Sequence, residues 1–236
     1  MSSPLYWQDQ TAMSWAATVV ASSPEGILLD ESAFYPGGGG QPADAGVLEW
    51  SGVFTRIVGT NGRGQLLPEA DDPIPAVGTT VRGRLDDVRR RSLMRTHSAL
   101  HVVCGVIYRD YGSMVTGSNM EPLSGRMDFN LPEVPAGFKA DLEAVVNGEI
   151  ARDRAITTRI VSRDEALRDE RVMRTAQHLM PPEVEVVRIV DIAGLDAQAD
   201  AGTHVASTRQ IGEVSIAKVE SKGKGFRRVR LLLPTS

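Results

Sequence analysis

Cysteine is almost missing from this 236-residue chain: the single Cys104 excludes any intramolecular disulfide and fits a reducing compartment. No apolar run approaches the ~18 residues that a membrane helix needs. The N-terminal residues Met1 to Trp7 have neither the basic nor the apolar region of a signal peptide, so a cytoplasmic protein with no membrane partner is expected. Positive charge is not in surplus either. With 26 Lys and Arg against 30 Asp and Glu, the net charge of −4 argues against a generic polyanion coat, although a local basic stripe can still bind nucleic acid. Aromatics make up 5% of the chain and there are only four histidines, so any cluster of these is informative. The 42% hydrophobic and 24% charged fractions are those of a folded globular protein and exclude wholesale disorder. A chain of this length makes one large or two small domains and needs neither disulfides nor metal merely to hold a fold.

The first 85 residues read as strands and turns. Residues 17–21, 26–29, 46–48 and 53–58 are rich in β-formers and are separated by Gly, Pro, Asn and Asp. Short strands at that spacing suggest a small barrel or sandwich. The acidic, proline-rich stretch 68–78 reads as a loop near a domain boundary. From residue 86 the character changes. Asp86 or Asp87 can cap a helix through about Tyr108, on which Leu93, Leu100, Val103 and Ile107 recur at helical intervals. A second helix is expected over 138–151, and Ser162 to Glu165 match a capping box that opens a short third helix through about Glu170. Residues 184–192 read as a buried strand. Residues 214–219 and 226–233 read as a hairpin around Lys222-Gly223-Lys224-Gly225. Strands mixed with unevenly spaced helices give an α+β class: a small N-terminal β-barrel-like domain, 1–85, then a mixed domain, 86–236, with an antiparallel sheet packed against helices.

Histidine carries the sharpest chemical signal. His97 and His101 lie four apart on the expected helix, which turns both imidazoles to one face, where two nitrogens can reach one metal ion. Such pairs also occur as ordinary surface or core residues. A third histidine, His204, follows Asp200 by four residues on a glycine-containing turn after the buried strand. Imidazole and carboxylate are both acceptable zinc ligands. The candidate metal set is therefore His97, His101, His204 and Asp200, although Asp200 can equally start a turn and His204 satisfy a carbonyl. Cys104 falls on roughly the same helix face as the histidine pair and could replace Asp200, or be plain core. His178 stands alone and reads as structural. The run Phe34-Tyr35-Pro36-Gly37-Gly38-Gly39-Gly40-Gln41 permits close backbone approach to a ligand, with the Gln41 amide and the upstream Ser32 hydroxyl as polar candidates, or it is simply a flexible turn. Between Lys218 and Arg230 six basic residues face one acid, Glu220.

Together these segments resemble the AlaX family, free-standing alanyl-tRNA editing proteins that are themselves similar to the editing domain of alanyl-tRNA synthetase. The resemblance runs from Phe34–Gln41 through Met94–His101 and Val187–Ile192 to Gly202-Thr203-His204-Val205, Ile211–Glu213 and the Lys222–Arg228 tail. The matches keep the same order from about residue 30 to 230. The small β domain ahead of the histidine helix suggests the medium-length type. One departure is that the family usually has cysteine where this chain has Asp200.

The resemblance implies an aminoacyl-tRNA deacylase that hydrolyses the ester joining a wrong amino acid, mainly serine and also glycine, to tRNA(Ala). It implies a zinc ion held by His97, His101 and His204, with Asp200 in the cysteine position, that polarises a water. Backbone amides of the glycine run or the Gln41 side chain are candidate donors to the tetrahedral oxyanion. Ser32 stands where the family often has threonine, and is the candidate to recognise the serine hydroxyl. Lys222, Lys224, Arg227 and Arg228 are the candidate contacts to tRNA phosphate, which position but do not read sequence. Two other readings stay open: a non-catalytic zinc-containing RNA-binding protein, and a metal-dependent hydrolase of another ester.

Overall fold

The structure is a computed structural model that describes residues 4–61, 64–169, 171–172 and 184–235. It divides into two compact units, Met1–Ser92 and Leu93–Ser236. In the first, a short helix α1 (Leu5–Gln8) precedes six strands: β1 (Ser14–Ser23), β2 (Gly26–Leu29), β3 (Gly46–Trp50), β4 (Val53–Thr60), β5 (Leu66–Pro68) and β6 (Thr80–Leu85). They close an antiparallel barrel in the order β1-β2-β5-β4-β3-β6, so the expected small N-terminal barrel is borne out. β1 is long enough to serve two neighbours. Ser14 to Thr18 pair with β6, a bulge falls between Val19 and Ala21, and the remainder pairs with β2. Such a bulge bends a strand around a barrel corner.

Alternation builds the barrel core. On β6, Val81, Gly83 and Leu85 point in while Arg82 and Arg84 point out, and Val19, Ile27, Leu48, Ile57 and Leu66 fill the interior with them. Gly83 is required by its partner across the ladder, because a Cβ there would lie 2.4 Å from the Trp15 ring. The stretch expected as a loop near a domain boundary is a loop apart from Pro68, which ends β5, and it returns the chain to β6 of the same barrel.

Helix α2 (Asp87–Tyr111) starts with the Asp86 carboxylate accepting the Arg89 N–H at 2.9 Å, an N-cap of the expected kind. From Ser92 to Ile107 almost every side chain is buried, including Thr96, His97, Ser98 and His101. In the second unit four strands follow α2's C-terminal part in a sheet of order β12-β13-β8-β7: β7 (Val115–Glu121), β8 (Ser124–Phe129), β12 (Ser215–Ser221) and β13 (Arg227–Leu232). The expected basic hairpin is the β12–β13 pair of this sheet. A second sheet, of order β11-β10-β9, is formed by β9 (Ile156–Ser162), β10 (Val186–Ile192) and β11 (Asp196–Ala199). Leu93, Leu100, Val103 and Ile107 of α2 share one apolar core with Met127, Phe129, Val229, Leu231, Val190 and Ile192. Fully burying each such side chain contributes about 1.5–3 kcal/mol.

Helix α3 (Phe138–Ala151) adds Phe138, Leu142, Val146 and Ile150 to that core. It also covers the β12 edge. Asn147 accepts the Val214 N–H at 2.9 Å and donates to its carbonyl at 2.8 Å, while Glu143 accepts the Ile216 N–H. The short α4 (Arg163–Arg168) is capped by Ser162, whose Oγ accepts from Glu165 N, as the capping box predicts.

Glu149, on the buried side of α3, meets Arg109 at 2.6 Å, Arg154 at 2.8 Å and Arg152 at 3.2 Å. Burial alone would raise its carboxyl pKa, but hydrogen bonds from Arg109 and Arg154 outweigh that and hold it below the usual glutamate range. A depressed carboxylate stabilises the fold above its unfolded pKa and loses that contribution as pH falls through the folded one. Glu149→Gln is therefore expected to cost about 1–3 kcal/mol near pH 7, less than a fully buried pair because Arg109 and Arg152 are largely solvated. The deficit should shrink below about pH 5. Urea unfolding midpoints of both proteins between pH 7 and pH 4 check it; a deficit constant across that range would refute the charge assignment.

Candidate metal centre

Two elements of the second unit converge. α2 presents His97 and His101 one turn apart, with ring centroids 5.1 Å from each other. The segment after β11 brings Asp200 and His204, whose ring lies 4.3 Å from His97 and 4.7 Å from His101. One donor atom from each of these four residues lies within 4.8 Å of the others. The Oδ2 of Asp200 is 3.3 Å from His97 Nε2 and 3.8 Å from His101 Nε2. Nitrogen and oxygen donors bound at about 2.0–2.2 Å to one tetrahedral ion lie about 3.3–3.6 Å apart. The four residues could therefore hold one metal ion.

The loop that delivers Asp200 and His204 is tightly fixed. Buried Arg188 on β10 donates from Nη1 to the carbonyls of Asp200, at 3.1 Å, and Gly202, at 2.8 Å. The other carboxylate oxygen of Asp200 accepts the Gly202 N–H at 2.6 Å, which leaves Oδ2 turned to the imidazoles. Ser98, between the two helix histidines, accepts the Val205 N–H at 3.2 Å and ties the loop to α2. Thus Ser98, a small residue between His97 and His101, anchors the facing ligand loop.

Charge in the cluster is sorted by environment. Burial pushes His204 well below the usual imidazole range, and the positive charges of His97 and His101 push the same way, so its nitrogen lone pair is available to a ligand bond. Burial also opposes ionisation of Asp200, yet the charge of His97 and hydrogen bonds from His101 and His97 hold its carboxyl well below the usual range. At His101 burial disfavours the proton, but Asp196 and Asp200 outweigh it and raise the pKa to about 9. An anion, a neutral imidazole and a proton that a cation can replace are the chemistry of a metal-binding set.

The remaining sequence candidates fall elsewhere. Cys104 is buried in the apolar core of the second unit and is not a member of the four-residue group, so it does not stand in for Asp200. His178 lies outside the described residues. In the barrel unit, Gly37 to Gly40 all have positive φ, between 57° and 127°, which makes glycine necessary there. The run is a closed turn, in which Gly38 and Gln41 exchange both backbone hydrogen bonds and the Tyr35 hydroxyl donates to the Gly38 carbonyl. Gln41 is buried; Ser32 is half-buried, and its Oγ accepts the Phe34 N–H at 3.2 Å.

On the basic hairpin, Lys222 and Lys224 are exposed on the turn. Arg227 donates to the carbonyls of Pro132 and Phe226, and Arg228 is paired with Asp128 at 2.6 and 2.7 Å. Arg230 and Lys218 both face Glu220. Sequence reasoning passed over Asp196, Gln198 and Arg188. The alternation Asp196-x-Gln198-x-Asp200, with polar residues every second position in a strand leading into the ligand loop, was the available signal.

No helix among the described residues is long and apolar enough to cross a membrane. Residues 187–230, which contain both Asp200 and His204, match the family described as the threonyl and alanyl tRNA synthetase second additional domain. The chain is 35% identical over 233 residues to the alanyl-tRNA editing protein AlaX-M of Saccharolobus solfataricus, covering 97% of this chain and 98% of that one. It is 34% identical to the AlaX-M of Methanosarcina mazei, over 97% and 95% of the two chains. It also matches the alanine–tRNA ligase of Korarchaeum cryptofilum at 32% identity, over 95% of this chain but 25% of that enzyme. At that identity over nearly the whole of both chains, the chain belongs to the AlaX-M family of alanyl-tRNA editing proteins.

Proposed function

We propose that this protein is a zinc-dependent trans-editing hydrolase that removes wrongly attached serine, and also glycine, from tRNA(Ala) in the cytoplasm. The observation that carries the proposal is the buried His97–His101–Asp200–His204 group in a chain related over nearly its whole length to alanyl-tRNA editing proteins. These four residues would hold the ion. When bound, zinc supplies Lewis acidity and lowers the pKa of a water. Zinc is preferred because three imidazoles and one carboxylate make a nitrogen-rich set suited to it.

The chain's own residues supply the rest. Arg188 and Ser98 fix the ligand loop, so that the donors do not have to be ordered when the ester arrives. Gln41 and the backbone amides of the glycine run are the proposed donors to the oxyanion that develops as the ester opens. Ser32 is proposed to hydrogen-bond the serine hydroxyl, a group that alanine lacks; an unmet polar partner in a closed site disfavours the correct amino acid. Lys222 and Lys224 on their exposed turn are the favoured phosphate contacts. Arg227 and Arg228, engaged by Pro132 and Asp128, contribute to the shape of that turn as well as to its charge.

The test is deacylation of Ser-tRNA(Ala), Gly-tRNA(Ala) and Ala-tRNA(Ala) by the wild-type chain, by His97→Ala, and by wild type with a chelator. Rapid loss of serine, spared alanine, and collapse of turnover in both the variant and the chelated enzyme are expected. A second reading, a structural zinc in an RNA-binding protein, draws on the closeness of Asp200 to the histidines, since four protein donors can close a site. A protein carrying stoichiometric zinc that binds tRNA(Ala) but deacylates none of the three would select it. Turnover of another aminoacyl ester alone would assign a different substrate.

A further inference from the structure

We infer that Asp196 is a positioning residue for the metal centre: it accepts from Nδ1–H of His101 and so fixes the tautomer that leaves Nε2 as the donor to the ion. The inference rests on the metal-site reading above and adds a residue outside the four-donor group. The two ring nitrogens of His101 face different carboxylates. Nε2 faces Asp200 at 3.8 Å, within the donor group, whereas Nδ1, a buried nitrogen that has no formed hydrogen bond in this structure, faces Asp196 Oδ2 at an ion-pair distance of 3.4 Å. Asp196 therefore approaches the imidazole from the side away from the other donors.

Its own surroundings are built to hold a carboxylate. The side chain is 1% exposed, in a position where an uncompensated charge costs several kcal/mol. The Gln198 amide, two residues on along β11, donates to the same Oδ2 at 2.7 Å. Strand alternation puts both side chains on one face of β11, and the β10–β11 pairing fixes that strand through Ile192 and Asp196. The same hairpin then supplies Asp200 as a donor, so a short stretch of chain carries both an inner ligand and the group that aims another. A carboxylate on the far nitrogen of a ligating histidine orients the ring and increases its basicity, and removing such a partner lowers metal affinity about 10–100-fold.

The experiment compares wild type with Asp196→Ala, Asp196→Asn and Gln198→Ala by zinc competition against a chromophoric chelator. Long-range proton–nitrogen NMR of 15N-histidine-labelled, zinc-loaded protein is recorded in parallel. Wild type is expected to show His101 protonated on Nδ1 with Nε2 metal-bound. Asp196→Ala should bind zinc about 10–100-fold more weakly, with Asp196→Asn and Gln198→Ala smaller in that order. A His101 protonated on Nε2, or an affinity within about twofold of wild type in the alanine variant, overturns the inference. Should the alanine variant not fold, the wild-type tautomer and the asparagine variant decide the matter alone. A wild-type chain that takes up no zinc overturns both this inference and the metal-site reading. Zinc binding with the expected tautomer but no deacylation overturns only the proposed activity.

Discussion

Asp200→Ala is expected to weaken metal binding by on the order of a thousandfold, since loss of one of four donors should exceed the 10–100-fold cost of an outer partner. Its Oδ2 is the one anionic donor in the group and lies near the Nε2 of both helix histidines. Removing it leaves imidazoles alone to compensate a dication in a buried site. Deacylation should fall with metal occupancy and recover partly when free zinc is raised. Asp200→Cys gives the second arm. Thiolate is also a zinc ligand, so this variant should keep its metal, and its cobalt-substituted form should gain a thiolate-to-metal absorption that wild type lacks. Asp200→Asn retains the oxygen that accepts the Gly202 N–H, and so separates loop folding from ligation. Unchanged affinity in Asp200→Ala would remove Asp200 from the ligand set and leave a three-histidine site.

The second large effect is expected in the barrel unit. Arg90 and Asp44 form an ion pair with both side chains essentially inaccessible to solvent. Arg90 Nε lies 3.0 and 3.1 Å from the two carboxylate oxygens, Nη2 donates to the Ala33 carbonyl at 2.6 Å, and Nη1 to the Gln10 carbonyl at 3.1 Å. Asp44 in turn accepts the Tyr35 N–H at 2.7 Å. One guanidinium thus pins both ends of the turn that carries the four glycines. Arg90→Met strands a buried carboxylate and should cost about 3–5 kcal/mol. Arg90→Met with Asp44→Leu should recover part of that, because an apolar pair carries no desolvation penalty. Recovery stays incomplete, since the Ala33 carbonyl and Tyr35 N–H lose their partners. Urea unfolding of the two single variants and the double one provides the cycle, and strictly additive losses would refute the coupling.

Elements with a strong local period were readable from residues alone. Helix α2 declared itself through Leu93, Leu100, Val103 and Ile107 and through its Asp86 cap, and the Ser162 capping box gave α4. Of the strands that escaped notice, β6 and β7 carry little apolar signal, whereas β9, Ile-Thr-Thr-Arg-Ile-Val-Ser, has a β-branched pattern that was legible. β7 reads Val-Thr-Gly-Ser-Asn-Met-Glu and β6 Thr-Val-Arg-Gly-Arg-Leu. β6 makes sense only through the long-range pairing of Ser14 with Arg84, and register across such a separation leaves no local trace, whereas β7 pairs with its sequence neighbour β8 from Val115 with Phe129 to Glu121 with Ser124. At the candidate site, the i, i+4 spacing of His97 and His101 is a property of one helix and was legible. That Asp200 and not Cys104 joins them depends on how a separate hairpin meets that helix. Cys104 lies three residues beyond His101, yet it is turned into the apolar core. Arg188 and Asp196 were invisible for a related reason: a buried charge in a strand has meaning only once its partners are known.

The four donors are unevenly placed in time as well as in space. His97 and His101 leave the ribosome together, and Asp200 and His204 follow roughly a hundred residues later, an interval of about 5–20 s at ordinary synthesis rates. Throughout that interval a nascent chain can offer an ion only His97 and His101 of this group. On the proposed reading, a complete donor set exists only in the nearly finished polypeptide, once the segment after the β10–β11 hairpin meets α2.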